Sequence, residues 1–363
     1  MRYALAAAGT GGHVYPALAV ARALTECGVE ADDIVFFGGN RLEATVVPQA
    51  GYTFVEVEVR GLQRSLTPRN VTLPIVVTRA ARAIADRVRR TGIGVMAAFG
   101  GYVSVPAAWG AKRAGARLVV HEQNAVPGLA NRLIAARADT TLVAFEAATE
   151  RLQGARVVGN PLRADLERFD RERLRPEALR HYGLDGRRPV LGVLGGSLGA
   201  RILNETAELL TQGEARAVDL VHLTGTIHAE AITVRAASDP RWTVLPFEER
   251  MDLFYAASDL VLSRAGALTI SELAATGTPA VVVPYAAGTA GHQAANAAGL
   301  SAAGGCLIVP EAEVAALPDL VLVLLDDPAR LESMGAGARA VGRPDAAIRV
   351  ARAILGVNDV GSS

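Results

Sequence analysis

Three short stretches of the 363-residue chain set glycines beside residues that can do chemistry: "GTGGHVYP" from Gly9 to Pro16, "FGGYVS" from Phe99 to Ser104, and "LGGSLGAR" from Leu194 to Arg201. Each follows an apolar run and precedes a helical pattern. Backbone amides at such a helix start, unobstructed by side chains, make an anion site, and phosphate is its natural guest. The first stretch ends in His13. An imidazole titrates near neutrality, so His13 is a candidate general base delivered by a phosphate-holding turn. The plainer reading is a tight connection with a structural histidine. The glycines fall at Gly9, Gly11 and Gly12 rather than as G-x-G-x-x-G, which counts against a dinucleotide site. A further stretch, "SRAGALTISELAATGTPAVVVP" from Ser263 to Pro284, puts Glu272 early in a helix, where the dipole favours a carboxylate that can accept two ribose hydroxyls. Its plainer reading is a helix-start glutamate of local value. Metal chemistry finds little support: His121 and Glu122 are adjacent, His222 and His228 lack a third ligand, and Cys27 and Cys306 form no C-x-x-C pair.

The elements that would position these groups alternate along the chain. Strand-like runs at Arg2 to Ala8, Ile34 to Phe37, Val95 to Phe99, Leu118 to His121 and Thr141 to Ala144 are interleaved with helical patterns at Pro16 to Cys27, Pro74 to Arg90 and Val103 to Ala114. The pattern repeats with strands at Val190 to Leu194, Leu220 to Leu223, Leu260 to Ser263 and Ala280 to Val283, and helices at Ala200 to Leu210, Arg250 to Ala257 and Thr269 to Ala275. Alternation of this kind predicts two doubly wound α/β domains with parallel sheets. The charged stretch "GNPLRADLERFDRERLRPEALR" lies between them, so the boundary is placed at Asn160 to Arg163. Domains are expected at 1–160 and 161–342, with a helix and tail at 343–363. Ligands belong at the carboxyl ends of the strands, and the two edges are expected to face one another across a cleft.

The chain is half apolar, with a mean hydropathy of +0.25, yet no apolar run reaches the ~20 residues that span a bilayer. The apolar start breaks at Gly9 to Gly12, unlike a signal peptide, so a cytoplasmic protein with reduced thiols is expected. Charge sums to zero but is unevenly spread: residues 1–160 hold 18 Arg or Lys against 12 Asp or Glu, the remainder 19 against 25. Arg60 to Arg90 holds eight arginines against Asp86 alone, interleaved with apolar residues. Two readings stand: a surface helix packing Ile84 and Val88 inward, or a docking face for anionic lipid headgroups. Without interleaved aromatics and at a pI near 7.0, no nucleic-acid partner is expected.

Taken together, "GTGGHVYPALAVA", "FGGYVS", "HEQNAVPGLANRL", "GNPLR", "GGSLGAR", "SRAGALTISELAATGTPAVVVP" and "HQAANA" resemble the MurG family, in family order from Gly9 to Ala297. The resemblance implies a GT-B fold and an inverting transfer of GlcNAc from UDP-GlcNAc to the MurNAc C4 hydroxyl of undecaprenyl-pyrophosphoryl-MurNAc-pentapeptide. It also implies no cofactor, no metal on the donor phosphates, and peripheral binding to the inner face of the cell membrane. Phe247 and Glu248 match the segment whose backbone reads uracil. Ala267, Leu268 and Thr269 match a loop on nucleotide and diphosphate, and Glu272 matches the ribose glutamate. Ser197 and Arg163 match phosphate or nearby donor contacts. Gln293 and Asn124 match positions near the GlcNAc hydroxyls. Thr10, Gly11 and Gly12 match a loop facing donor and acceptor pyrophosphate, while Gly9, Gly100, Gly101 and Tyr102 fall on the acceptor side.

His13 is the expected base and Glu122 the alternative. Val105 stands where many relatives have glycine, and Glu248 where an apolar residue is common. The rivals are a nicotinamide oxidoreductase, a lipid-phosphate binding protein, a UDP-GlcNAc 2-epimerase, and a GT-B transferase acting on another lipid or a secondary metabolite.

Overall fold

A computed structural model of the chain describes residues 1–59, 73–196, 199–211, 218–286 and 291–357. It divides into two compact units, Met1–Arg163 together with Pro344–Ser363, and Ala164–Arg343. Arg163 is thus the last residue of the first unit before the chain passes into the second.

The first unit is built on seven strands: β1 (Arg2–Ala6), β2 (Ile34–Gly38), β3 (Thr53–Glu56), β4 (Ile93–Ala98), β5 (Arg117–Glu122), β6 (Thr140–Val143) and β7 (Arg156–Val157). All pair in parallel, in the order β3-β2-β1-β4-β5-β6-β7. Side chains alternate between the two faces. Ile34 and Phe36 of β2 join the core under the helix Gly11–Glu26, while Val35 and Phe37 join the core under the helices Leu73–Thr91 and Ser104–Ala114. Both faces are covered, which is why the inner strands read as unbroken apolar runs. The last helix, Ala346–Leu355, lies in this unit: Ala347, Val350, Ala351 and Ile354 enter the same core as the helix Gly11–Glu26. Arg117 on β5 donates to the carbonyls of Ala353 and Ile354 at its C-terminal end, a cation placed where the helix dipole is negative.

The second unit repeats the scheme with six parallel strands: β8 (Val190–Leu194), β9 (Asp219–Leu223), β10 (Trp242–Leu245), β11 (Leu260–Ser263), β12 (Ala280–Val282) and β13 (Cys306–Ile308). Their order is β10-β9-β8-β11-β12-β13. In each sheet the order reverses once, between β1 and β4 and between β8 and β11. Loops leaving the carboxyl ends of those strands diverge there and open a crevice.

Two expectations change. The first helix begins at Gly11, not at Pro16, with Thr10 as its extended N-cap. Pro16 lies in the second turn, where it only removes the N–H that the Gly12 carbonyl would have accepted. The strands β3, β7, β10 and β13 are additions to those read from the sequence, and all four are sheet edges. Among the described residues no helix is long and apolar enough to cross a membrane.

Candidate active site

In the first unit three strand ends converge. The turn after β1 runs from Ala7 to Thr10, with Gly9 in a left-handed conformation at φ +99°. The turn after β4 places Gly100 at φ +104° and Gly101 at φ +81°. Both glycines are also required by closeness: a Cβ on Gly101 would lie 2.2 Å from the Ala8 carbonyl oxygen, and one on Gly100 would lie 2.7 Å from the His13 ring. The imidazole therefore rests on the backbone of the second turn. Ser104 locks that turn, donating to the Gly100 carbonyl at 2.7 Å and accepting from its amide at 2.9 Å.

His13 is half-buried in the first turn of its helix, its Nδ1 3.1 Å from the Thr10 hydroxyl. Burial pushes its pKa down, against the upward pull of Glu122, a hydrogen bond with the Ala8 backbone, and Glu43. Neutral imidazole is the form a proton acceptor needs.

Glu122, at the end of β5, is 1% exposed and fully engaged. One oxygen accepts from the amide and side chain of Asn124, the other from the Gly128 amide and Asn131. These four donors make it the clamp of the 123–128 loop and bring Asn124 beside it. His121, just before it, is 1% exposed. Burial lowers its pKa to about 4, so the neutral ring donates from Nε2 to the Gly159 carbonyl and accepts at Nδ1 from Gln123.

One part of the phosphate expectation needs correction. The Gly9 amide is taken, donating to Glu43 at 3.2 Å. The helix-start amides that remain for an anion are those of Gly11 and Gly12. Tyr102 reaches across from the second turn, its ring against Gly9 and its hydroxyl at Gly39.

In the second unit a pocket of about 760 Å³ lies at the carboxyl ends of β8 and β11. Gly195, Gly196, Gly199 and Ala200 form one wall, Thr269 and Gln293 another. The left-handed Gly199 packs so closely on the chain after β9 that a Cβ would lie 2.0 Å from the Thr224 carbonyl oxygen. The Gln293 Oε1 accepts from the Tyr285 amide at 2.8 Å, which ties the loop after β12 to the helix His292–Ala302. Ser197 lies outside the described residues.

The helix Ala267–Thr276 carries Ala267, Leu268 and Thr269 in its first turn, and Gly266 is its N-cap. Glu272 is its sixth residue, one turn further in, so the dipole, whose effect fades within the first turn, does little for it. A hydrogen bond of 2.8 Å from the buried Tyr255 hydroxyl orients it instead. Phe247 is half exposed, whereas Glu248 turns inward at 8% exposure. Its carboxylate accepts from the Tyr182 hydroxyl and the Arg250 amide and faces His181 at 3.3 Å. Burial would raise its pKa, but those hydrogen bonds outweigh it and hold the carboxyl low.

Several residues at these sites were not read from the sequence. In the second pocket, Arg264 pairs with Glu311 at 2.6 Å and lies over the Tyr285 ring. In the first unit they are Glu43 and Asn131. A legible signal for Glu43 existed: "FFGGNRLEA" is another glycine pair after a strand, followed by an acid at a helix start. Among the described residues, no three His, Cys, Asp or Glu side chains gather as a metal-ligand set.

Two parallel-sheet units with glycine turns at their switch points define the class, that of the GT-B glycosyltransferases. Family models agree: the glycosyltransferase family 28 N-terminal domain matches residues 3–143 and its C-terminal domain residues 190–350. A protein of Acidothermus cellulolyticus named "UDP-N-acetylglucosamine--N-acetylmuramyl-(pentapeptide) pyrophosphoryl-undecaprenol N-acetylglucosamine transferase" is 40% identical over 358 residues, covering 97% of this chain and 96% of that protein. One of the same name from Clavibacter sepedonicus is 41% identical, covering 96% and 94%. The crystal structure of Acinetobacter baumannii MurG superposes with a TM-score of 0.78 at 28% identity, covering 98% of this chain and all of that one. The chain belongs to the MurG family of N-acetylglucosamine transferases.

Proposed function

We propose that the chain transfers GlcNAc from UDP-GlcNAc to the C4 hydroxyl of MurNAc in undecaprenyl-pyrophosphoryl-MurNAc-pentapeptide, converting lipid I to lipid II with inversion. The observation that carries this is the identity of about 40% over nearly the whole chain, across both units, to relatives named for that reaction.

In this proposal the first unit is the acceptor side. The amides of Gly11 and Gly12, with Thr10, hold pyrophosphate, while Gly100, Gly101 and Tyr102 shape the acceptor surface. The neutral His13 ring takes the proton from the C4 hydroxyl as its oxygen attacks the anomeric carbon. The bond from that carbon to the diphosphate breaks on the opposite face, and UDP leaves with the electron pair. Glu122 holds Asn124 near the sugar hydroxyls. Both of its oxygens are already occupied by those four donors, so it serves as a clamp and not as the base.

The second unit is the donor side. Thr269, Ala267 and Leu268 meet the nucleotide and diphosphate, Glu272 the ribose, Gln293 the GlcNAc hydroxyls, and the backbone at Phe247 and Glu248 the uracil. Amides after Gly195, with Ser197, offset the charge that develops on the diphosphate.

Access to a lipid acceptor is by docking on anionic membrane. Support comes from the helix Leu73–Thr91, which buries Ile84 and Val88 and exposes Arg79, Arg82, Arg87, Arg89 and Arg90. The remaining arginines of the basic stretch, Arg60, Arg64 and Arg69, lie outside the described residues. Ile75 on this helix is 64% exposed; the helix Ser104–Ala114 packed against it exposes Trp109 with Lys112 and Arg113, and the helix Leu129–Ala135, packed on that one in turn, exposes Leu129 and Leu133 with Arg132. Apolar groups that insert and cations that meet headgroups share this face.

The deciding experiment supplies purified protein with radiolabelled UDP-GlcNAc and a short-chain lipid I analogue in the presence of chelator. Label moving to the lipid is the expected result. Failure there, with transfer to a different acceptor, assigns another lipid or a secondary metabolite instead.

A further inference from the structure

Glu43 is the second residue of the helix Leu42–Gln49 and is 1% exposed. A buried carboxylate is costly unless its oxygens are satisfied. Here both are, by amides from two different strand ends: Oε2 accepts from Gly9, after β1, and Oε1 from Gly39, after β2. Two N–H donors facing two oxygens require a carboxylate. A glutamine offers one acceptor oxygen and would turn its own NH2 toward the other amide. The surroundings are shaped to admit the group: a Cβ on Gly38 would lie 2.8 Å from the Glu43 Cγ, and one on Gly39 would lie 3.0 Å from Oε1 and strike the Tyr102 hydroxyl. Gly9 leads directly into Thr10, the N-cap whose hydroxyl meets His13.

We propose that Glu43 is a positioning residue for glycosyl transfer: its carboxylate pins the turn that carries His13 and sets negative charge beside the imidazole. This rests on His13 being the base. The charged groups that act on His13 are Glu122 on β5 and Glu43 on the helix after β2, both favouring the protonated ring. Tyr102, after β4, is acted on in turn by Glu43, by Arg41 at the start of the Glu43 helix, and by Glu56 at the end of β3. Because a base works only when deprotonated, the acid limb of kcat against pH reports the His13 pKa in the complex. Taking away the Glu43 charge lowers that pKa and moves the limb to lower pH.

The test compares Glu43→Gln, Glu43→Asp and His13→Ala with the wild-type chain, using UDP-GlcNAc and a lipid I analogue across pH. UDP affinity and thermal melting are measured alongside. For Glu43→Gln, kcat should fall about tenfold to a hundredfold through the loosened turn, with the acid limb displaced downward by roughly half a unit to one unit and UDP affinity unchanged. Glu43→Asp keeps the charge but not the reach, so its limb should return toward the wild-type position while kcat stays reduced. A folded Glu43→Gln enzyme whose limb has not moved overturns the proposal, because a merely structural glutamate would lower melting temperature alone. Should that variant not fold, Glu43→Asp with wild-type kcat overturns the pinning. His13→Ala separates the two ideas: near-normal kcat in that variant removes the base assignment itself, whereas its inactivity beside an unshifted Glu43→Gln removes only the role of Glu43.

Discussion

His13 is held from three sides, by the Thr10 hydroxyl, by the backbone of Gly100, and by its own place in the first turn of a helix. Loss of a general base costs about 10²–10⁴ in rate, so His13→Ala should lower kcat by that order with UDP binding intact, as steady-state kinetics beside calorimetry will read. Gly100→Ala tests the seat rather than the base. Its Cβ would strike the ring at a backbone conformation that already favours glycine, so kcat should fall while His13 remains in the chain. On the donor side, Glu272 is oriented by the Tyr255 hydroxyl. Its replacement by alanine should weaken UDP binding by about 1.5–3 kcal/mol, the range for hydrogen bonds to a charged group. Unaltered UDP affinity in a folded Glu272→Ala chain would take the residue out of the ribose site.

At the scale of elements, the helix Leu73–Thr91 has the surface-helix form its sequence allows, with Ile84 and Val88 packed inward and the arginines facing out, and docking on anionic membrane is the proposal made for those arginines. The one acid on the helix itself, Asp86, pairs with Arg89 at the surface, where an ion pair contributes little, while Glu56 and Glu58 line the groove beside Arg79, Arg87 and Arg90. Replacing Arg79, Arg82, Arg87 and Arg89 with serine should abolish salt-sensitive cosedimentation with anionic vesicles. Trp109→Ser with Leu133→Ser should weaken it while sparing its salt dependence. Binding that survives both sets would locate the membrane contact elsewhere. The inner strands were legible because each carries a run of buried apolar residues, and several, such as β1, β4 and β8, lead into glycine turns. The edge strands were not: β7 is two residues long, and β3 and β10 are only partly buried and mix Thr or Glu with their apolar residues. A short edge has little apolar surface to announce it.

Across the whole molecule, each unit holds one buried neutral histidine: His121 in the first, with its pKa lowered to about 4, and His222 in the second, lowered to about 3, both chiefly by burial. The unfolded chain takes up these protons near pH 6.5, whereas the folded units resist until far lower pH. Stability from these sites is therefore complete above about pH 6.5 and declines as pH falls below it, by about 2 kcal/mol per histidine at pH 5. Melting followed from pH 7.5 to 4.5 should show both units losing stability, and a flat profile would deny the burial of these rings. The C-terminal helix Ala346–Leu355 belongs to the first unit's core. Ending the chain after Arg343 should unfold that unit preferentially, since Val350 and Ile354 alone contribute about 3–6 kcal/mol of burial. Proteolysis of the truncated chain would find residues 1–163 cut first.

By itself the sequence determined what is local in cause: two sets of parallel inner strands, the glycine turns that follow them, His13 at a helix start, and motifs specific enough to name a family. Strand runs and turn glycines are dictated by nearest neighbours and by backbone sterics, so they can be read without a partner in view. The tertiary structure alone decided which polar groups are already committed. Glu43 reaches Gly9 across 34 positions, Glu122 is closed by Asn131, Glu248 by Tyr182 across 66, and Arg117 by the helix end at Ala353 across 236. A carboxylate's function depends on whether its oxygens are free. That is settled by donors brought from distant parts of the chain, which no spacing along the sequence records.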